Sequence, residues 1–164
     1  MTNWHGVTEA AIREGLRKAV WDGRLEIVSS RPLLVLDGAH NPASVKRLAD
    51  AIGTAFSGRY DRLFIVMGVL SDKDSGFMLE ALASFAYELV LTQAEYERAV
   101  PAGELLKKAS ELGVRAVSKG KVSDAVEYAL AGAGPGDMVL VTGSLYVVGE
   151  ARAWAFKREL FLRA

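Results

Sequence analysis

Apolar residues follow two distinct spacings along this chain. Runs such as Leu63-Phe64-Ile65-Val66-Met67 and Met138-Val139-Leu140-Val141 are apolar at every position, the mark of strands covered on both faces. Between such runs Val45, Leu48, Ala49, Ile52 and Phe56 recur at helical spacing, so one face of a helix packs on the sheet. The pattern predicts strands over residues 63–67, 88–92, 114–117 and 138–142, and helices near 42–56, 76–85, 101–112, 123–131 and 145–161. Two further apolar runs, 25–29 and 33–36, are separated only by Ser30-Arg31-Pro32. That is too short for a parallel crossover and predicts an antiparallel hairpin. Residues 8–20 read as an opening helix capped by Thr8, with Ile12, Leu16, Ala19 and Val20 on one face and Asp22-Gly23 ending it. Alternating strands and helices with long crossovers imply an α/β fold: a doubly wound, mainly parallel six-stranded sheet, Rossmann-like, with one antiparallel edge strand and helices on both faces.

Composition narrows the functional classes. A chain of 164 residues, about half of them apolar, suffices for one core. Its 20 basic residues balance its 20 acidic ones, which argues against nucleic acid as the main partner. The absence of cysteine excludes disulfides and thiolate metal sites. No apolar run approaches the roughly 20 residues of a membrane span, and the N-terminus, with an incidental His5, lacks a signal-peptide pattern. A cytoplasmic protein is expected. No G-x-x-x-x-G-K-[ST] loop occurs, since Gly120-Lys121 is followed by Val122. Gly132-Ala133-Gly134-Pro135-Gly136 precedes a strand instead of following one, so it reads as a turn and not as a dinucleotide fingerprint.

The chemistry concentrates where strands end. In Leu33-Leu34-Val35-Leu36-Asp37-Gly38-Ala39-His40-Asn41-Pro42-Ala43-Ser44 an apolar strand breaks into polar groups and Pro42 opens a helix. Asn41 suits the N-cap and Pro42 the first helical position. Asp37 and His40 lie beside a helix N-terminus that favours anions; they face a ligand at the sheet edge, or else cap backbone groups and stay at the surface. Lys73, in Ser71-Asp72-Lys73-Asp74, follows the next parallel strand. It either holds a carboxylate or joins a local ion-pair cluster. Ser144 opens the last helix as an anion nest or a simple N-cap. It is not a nucleophile, because Thr-Gly-Ser-Leu is not G-x-S-x-G. Arg24 precedes the first strand and is suited to bidentate phosphate contact, or is a solvated helix-end arginine.

The wording DGAHNP resembles the signature in the C-terminal domain of folylpolyglutamate and dihydrofolate synthases, members of the Mur ligase superfamily. Trp21-Asp22-Gly23-Arg24-Leu25-Glu26, Gly68-Val69-Leu70-Ser71-Asp72-Lys73-Asp74 and Thr142-Gly143-Ser144-Leu145-Tyr146 with Gly149-Glu150 are similar to its linker and two later strand-to-helix loops, in the same order. One departure is Asp22, where a proline is usual; it bears on the stiffness of the hinge and not on the arginine. The resemblance implies ATP contacts from Asp37, His40, Arg24 and Asn41, and glutamate contacts from Lys73, Ser144 and Arg98. It implies no catalytic residue and no metal ligand in this chain. ATP and Mg2+ would be held mainly by an N-terminal P-loop ATPase domain of the same polypeptide, which would also take folate or dihydropteroate. Residues 1–24 would be an N-terminal helix and interdomain linker, and 25–164 the C-terminal domain. The expected function is ATP-dependent addition of glutamate to folate through an acyl phosphate, with the chain inactive by itself. The rivals are another amino-acid ligase of the superfamily and a stand-alone Rossmann-like nucleotide-binding module.

Overall fold

A computed structural model of the protein describes residues 6–161. The strands β1 (Glu26–Ser30), β2 (Leu33–Leu36), β3 (Leu63–Met67), β4 (Glu88–Gln93), β5 (Ala116–Lys121) and β6 (Met138–Thr142) form one sheet in the order β1-β2-β6-β3-β4-β5. Only β1 and β2 pair antiparallel, as their short Arg31-Pro32 connection requires. The helices are α1 (Glu9–Lys18), α2 (Pro42–Gly53), α3 (Ser75–Ala83), α4 (Ala102–Glu111), α5 (Val122–Gly132) and α6 (Leu145–Lys157). The expected doubly wound sheet with one antiparallel edge strand is borne out.

The handedness of crossovers decides where the helices lie. From β2 the chain steps one way across the sheet to β3, β4 and β5, so α2, α3 and α4 share a face; the return from β5 to β6 reverses direction and places α5, joined by α6, on the other. Alternate residues of each inner strand serve the two layers. Leu63, Ile65 and Met67 pack with Val45, Leu48, Met78 and Leu105, whereas Phe64 and Val66 pack with Val126, Ala129, Val147 and Ala151. Every position of β2, β3 and β6 is therefore buried.

Three expected elements end three or more residues from where the pattern places them, and α1 and α3 each stop two residues early, at Lys18 and Ala83. The strand expected over 114–117 begins at Ala116 and runs to Lys121. Leu112, Gly113 and Val114 are used instead to close α4: Gly113 has φ +69°, its N–H donates to Ser110, and the Val114 N–H donates back to Ala109, a Schellman cap. As an edge strand, β5 also carries polar residues that a search for apolar runs passes over. The second helix stops at Gly53, yet Phe56 still reaches the core at 4% exposure. The last helix stops at Lys157, closed by Glu159 at φ +53° and a Leu160 N–H bond back to Ala155. No residue of α1 is buried, so the apolar face of Ile12 and Leu16 lies open.

At the amino ends of the parallel strands, Arg62 and Asp137 tie the starts of β3 and β6 together. Asp137 is 4% exposed and accepts the backbone N–H of Arg62 at 3.0 Å, that of Gly134 at 2.6 Å and Arg62 Nη2 at 2.6 Å. The Arg62 guanidinium, more than any other neighbour, holds the Asp137 carboxyl below the usual carboxylate range, against the effect of burial. The folded-state pKa thus lies below the unfolded value near ~3.9. Its stabilisation is complete above that value and is lost as pH falls through the folded one. Asp137→Asn is expected to lose about 1.5–3 kcal/mol near neutral pH, the worth of a charge-assisted bond. Thermal melts from roughly pH 5 down to pH 2 should also show a shallower acid limb for the variant. Parallel acid limbs would remove Asp137 from the account.

Candidate functional site

At its carboxyl end β2 leads into α2 on one face, while its neighbour β6 leads into α6 on the other. The departing loops part there, and this is the crevice in which open α/β sheets bind ligands. The backbone around it is tightly drawn. Gly143 N–H donates to the Ala39 carbonyl at 3.0 Å and Gly68 N–H to that of Thr142 at 3.4 Å. A Cβ at Gly143, where φ is +98°, would stand 2.5 Å from the Gly68 oxygen; one at Gly68 would stand 2.7 Å from the Thr92 oxygen. Glycine is required because three strand ends converge.

A cleft of about 320 Å³ opens between the turn before β1 and the start of α2, lined by Arg24, Asp37, Gly38, His40, Asn41 and Arg47 among others. Asp37 is 8% exposed. One carboxylate oxygen accepts the Leu25 N–H at 2.9 Å and the other the Ala39 N–H at 2.9 Å. The backbone-capping role is thus present in full, while the carboxylate still borders the cleft. His40 Nδ1 lies 2.7 Å from the Gly38 carbonyl oxygen. That oxygen can only accept, so Nδ1 carries a proton and Nε2 is the ring nitrogen left for a ligand. Asn41 caps α2 by accepting the Ser44 N–H at 2.9 Å, and Ser44 Oγ accepts the N–H groups of Asn41 at 3.1 Å and His40 at 3.0 Å. This reciprocal cap with Pro42 fixes the turn that carries His40. Arg24 is half-buried, with its guanidinium 5.7 Å from the Trp21 ring centroid. A Cβ on Gly38 would overlap Arg24 Nη1 and Leu145 Cδ2, so the missing side chain is what lets Arg24 lie across the turn.

A second cleft of about 170 Å³ adjoins the first through His40 and includes Asp72, Lys73, Arg98, Ser144 and Tyr146. Lys73 pairs with Asp72 at 2.8 Å and lowers its carboxyl pKa. Asp74 is committed elsewhere, capping α3 at Phe77 N–H. Ser144 is 1% exposed and its hydroxyl accepts the Tyr146 N–H at 3.1 Å, which makes it the N-cap of α6. Arg98 Nε donates to the Tyr96 hydroxyl at 3.3 Å. The Tyr96 and Tyr146 rings stack at 3.9 Å and 13°. Tyr146 first, then Arg98, holds the Tyr96 phenol below its usual range.

All seven candidate side chains, from Arg24 to Ser144, therefore border two adjoining clefts at one sheet edge. His5 lies outside the described residues. Sequence reasoning missed Ser44, Arg47 and the tyrosine pair. Ser44 had a signal, a hydroxyl three residues after the capping Asn41; the tyrosines, fifty positions apart, had none. Among the described residues no group of three or more histidine or acidic side chains is placed to hold a metal ion, and no helix is long and apolar enough to cross a membrane.

Residues 23–145 match the Mur ligase glutamate ligase domain. The chain belongs to this family. A probable bifunctional folylpolyglutamate synthase/dihydropteroate synthase of Haloferax volcanii is 42% identical over 143 residues, covering 87% of this chain and 17% of the relative. Escherichia coli FolC, solved in complex with DHPP and ADP, superposes with a TM-score of 0.84 at 31% identity, over 93% of this chain and 36% of that one. A bifunctional folylpolyglutamate synthase/dihydrofolate synthase solved with manganese, AMPPNP and L-glutamate has a TM-score of 0.78 at 33% identity, over 90% of this chain and 34% of that one. The chain thus spans about a third or less of these relatives. The resemblance carried by DGAHNP is borne out.

The converging strand ends of this Mur ligase domain make a stability prediction. Gly143→Ala places a side chain in the left-handed region, at a cost of about 1–2 kcal/mol, and drives it into backbone that has nowhere to move. The sum of roughly 2–4 kcal/mol should lower Tm by about 5–15 °C for a domain of this size. Gly103→Ala in α4, with open space around it, is the control and should not lower Tm. A Gly143→Ala melt that coincides with the control would rule out the close approach.

Proposed function

We propose that this chain is the C-terminal, substrate-positioning domain of a folylpolyglutamate synthase, a ligase that adds glutamate to folate and in its bifunctional form also to dihydropteroate. One observation carries the proposal. The seven side chains border two adjoining clefts that share His40, one bearing Arg24 at a helix N-terminus and the other bearing Lys73 and Arg98. A solved relative at 33% identity has AMPPNP and L-glutamate bound together, which matches such a pair of clefts.

In the reaction, ATP phosphorylates the carboxyl group of the folate, the amino nitrogen of glutamate attacks the acyl carbon, and phosphate leaves as the amide forms. This domain positions. Arg24 contacts phosphate and the Nε2 of His40 meets the nucleotide at the same edge. Asp37 uses the acceptor capacity left after its two N–H bonds for a ribose hydroxyl, and Asn41 fixes the turn between them. Lys73 and Arg98 receive the carboxylates of glutamate, with Ser144 shaping the helix N-terminus beside them. Closure of the domain aligns the reactants and excludes water. A divalent cation, magnesium in the cell, supplies charge neutralisation at the phosphates when bound. With no ligand cluster for it among the described residues, it is assigned to a P-loop ATPase domain of the same polypeptide, as is the folate pocket. The exposed Ile12, Leu16, Val20 and Trp21 of the linker region support such a partner. The working compartment is the cytoplasm.

Two measurements test this assignment. In the full-length ligase Lys73→Ala is expected to raise the KM for glutamate roughly 10-fold or more while moving that for ATP little, and Arg24→Ala the reverse, since each removes a charge-assisted contact of about 1.5 kcal/mol or more to one substrate. Equal effects on both substrates from either variant would reject the division of labour between the clefts. The 164-residue chain by itself, supplied with ATP, magnesium, folate and glutamate, should release no ADP above background. Turnover would identify it as a complete enzyme instead of one domain.

A further inference from the structure

Arg24 lies in a turn that is gripped from two sides. On the sheet side, the Gly38 N–H donates to the Gly23 carbonyl at 2.8 Å and the Leu25 N–H donates to Asp37. On the other side stands α6. Its Arg152 donates through Nε to Glu26 Oε1 at 3.0 Å and Oε2 at 3.1 Å, and its Nη2 pairs with Asp22 Oδ2 at 2.9 Å. The two carboxylates flank Arg24 symmetrically in the chain, at positions 22 and 26. Glu26 does double duty, because Oε2 also accepts the Gly23 N–H at 2.7 Å. One helical turn earlier on α6, Val148 lies against Gly23, where a Cβ would stand 2.9 Å from its Cγ1. The side chain of Arg152 is 38% exposed and that of Glu26 14%, so this pair is shielded from salt better than Asp22, at 59%.

The planar fork of arginine suits a residue that must hold two carboxylates in fixed directions. The turn itself resists its own shape: Leu25 sits at φ +45°, a conformation that a branched side chain persists in only when its surroundings impose it. Asp22 and Glu26, both paired with Arg152 of α6, bracket the turn on either side of Arg24 and Leu25.

We propose that Arg152 is a positioning residue for Arg24: by holding Glu26 and Asp22 it clamps the hinge turn to α6 and sets the Arg24 guanidinium over Gly38 at the mouth of the first cleft. The inference rests on the reading of Arg24 as a nucleotide contact. It is tested by a double-mutant cycle in the full-length ligase, with KM values measured for ATP and for glutamate. Arg152→Met keeps the apolar stem and should raise the KM for ATP roughly 3- to 10-fold, toward the lower end of the coupling between neighbours, with the KM for glutamate unchanged. Glu26→Gln keeps the acceptor for Gly23 and should act in the same direction, more weakly. In an Arg24→Ala background Arg152→Met should have almost no further effect. If Arg24→Ala weakens ATP but Arg152→Met does not, or if the two effects multiply, Arg152 does not act through Arg24 and the inference is overturned while the reading of Arg24 stands. If Arg24→Ala leaves the KM for ATP unchanged, the reading fails and takes the inference with it.

Discussion

The two carboxylate oxygens of Asp37 accept the N–H groups of Leu25 and Ala39, and these bonds join the turn before β1 to the strand-to-helix turn on which the candidate site is built. The magnitudes favour that junction. Leu25 in the left-handed region costs about 1–2 kcal/mol, whereas a hydrogen bond to a buried charged acceptor contributes about 1.5–3 kcal/mol, so the bond is of the size needed to offset the strain. The bond to Ala39 orients the next stretch of chain, where the Gly38 carbonyl receives His40 Nδ1 and the Ala39 carbonyl receives Gly143 N–H. One acidic residue at the end of β2 therefore sets Arg24, His40 and the floor of the second cleft relative to each other.

That arrangement was partly legible. The strands β2, β3 and β6 stand where the apolar runs predicted, since burial on both faces leaves no polar position to blur their ends. β5 was displaced because it is an edge strand and because the residues before it serve the cap of α4. The site residues were visible as a set, all but Arg24 being placed after strands, but their bonds were not. Asp37 was foreseen as either ligand contact or backbone cap, and it makes the caps while bordering the cleft. Lys73 was foreseen between Asp72 and Asp74, yet helix capping claims Asp74 and leaves only Asp72. The Tyr96–Tyr146 stack and the Arg152 clamp join segments far apart in the chain. Neither has a local signal, so tertiary packing alone brings them into view.

Charge is distributed to match. The chain is neutral overall, which gives no long-range attraction for anions, yet both clefts carry positive groups at their mouths. In the first cleft the Asp37 charge is largely engaged by backbone donors, so the field at the opening is set by Arg24, Arg47 and the start of α2. In the second, Asp72 neutralises part of Lys73, while Arg98 is hydrogen-bonded to a phenol and feels the Asp72 carboxylate without pairing with it. Of the two cations Arg98 is the less neutralised, although Lys73 is the residue that the sequence pattern brings forward.

The three glycines at this edge do different physical work, and the difference bears on what can vary. Gly68 and Gly143 face backbone atoms, which cannot move without separating strands, so the convergence of β3, β4 and β6 is a rigid feature of the fold. Gly38 faces the ends of Arg24 and Leu145, flexible side chains able to swing away. A larger residue there would be accommodated by displacing the arginine, leaving the sheet intact and the cleft without its guanidinium. The fold thus separates its requirements: strand convergence protects the architecture, while the contact between Arg24 and Gly38, held by bonds from Asp37 on one side and Arg152 on the other, protects the geometry of the site.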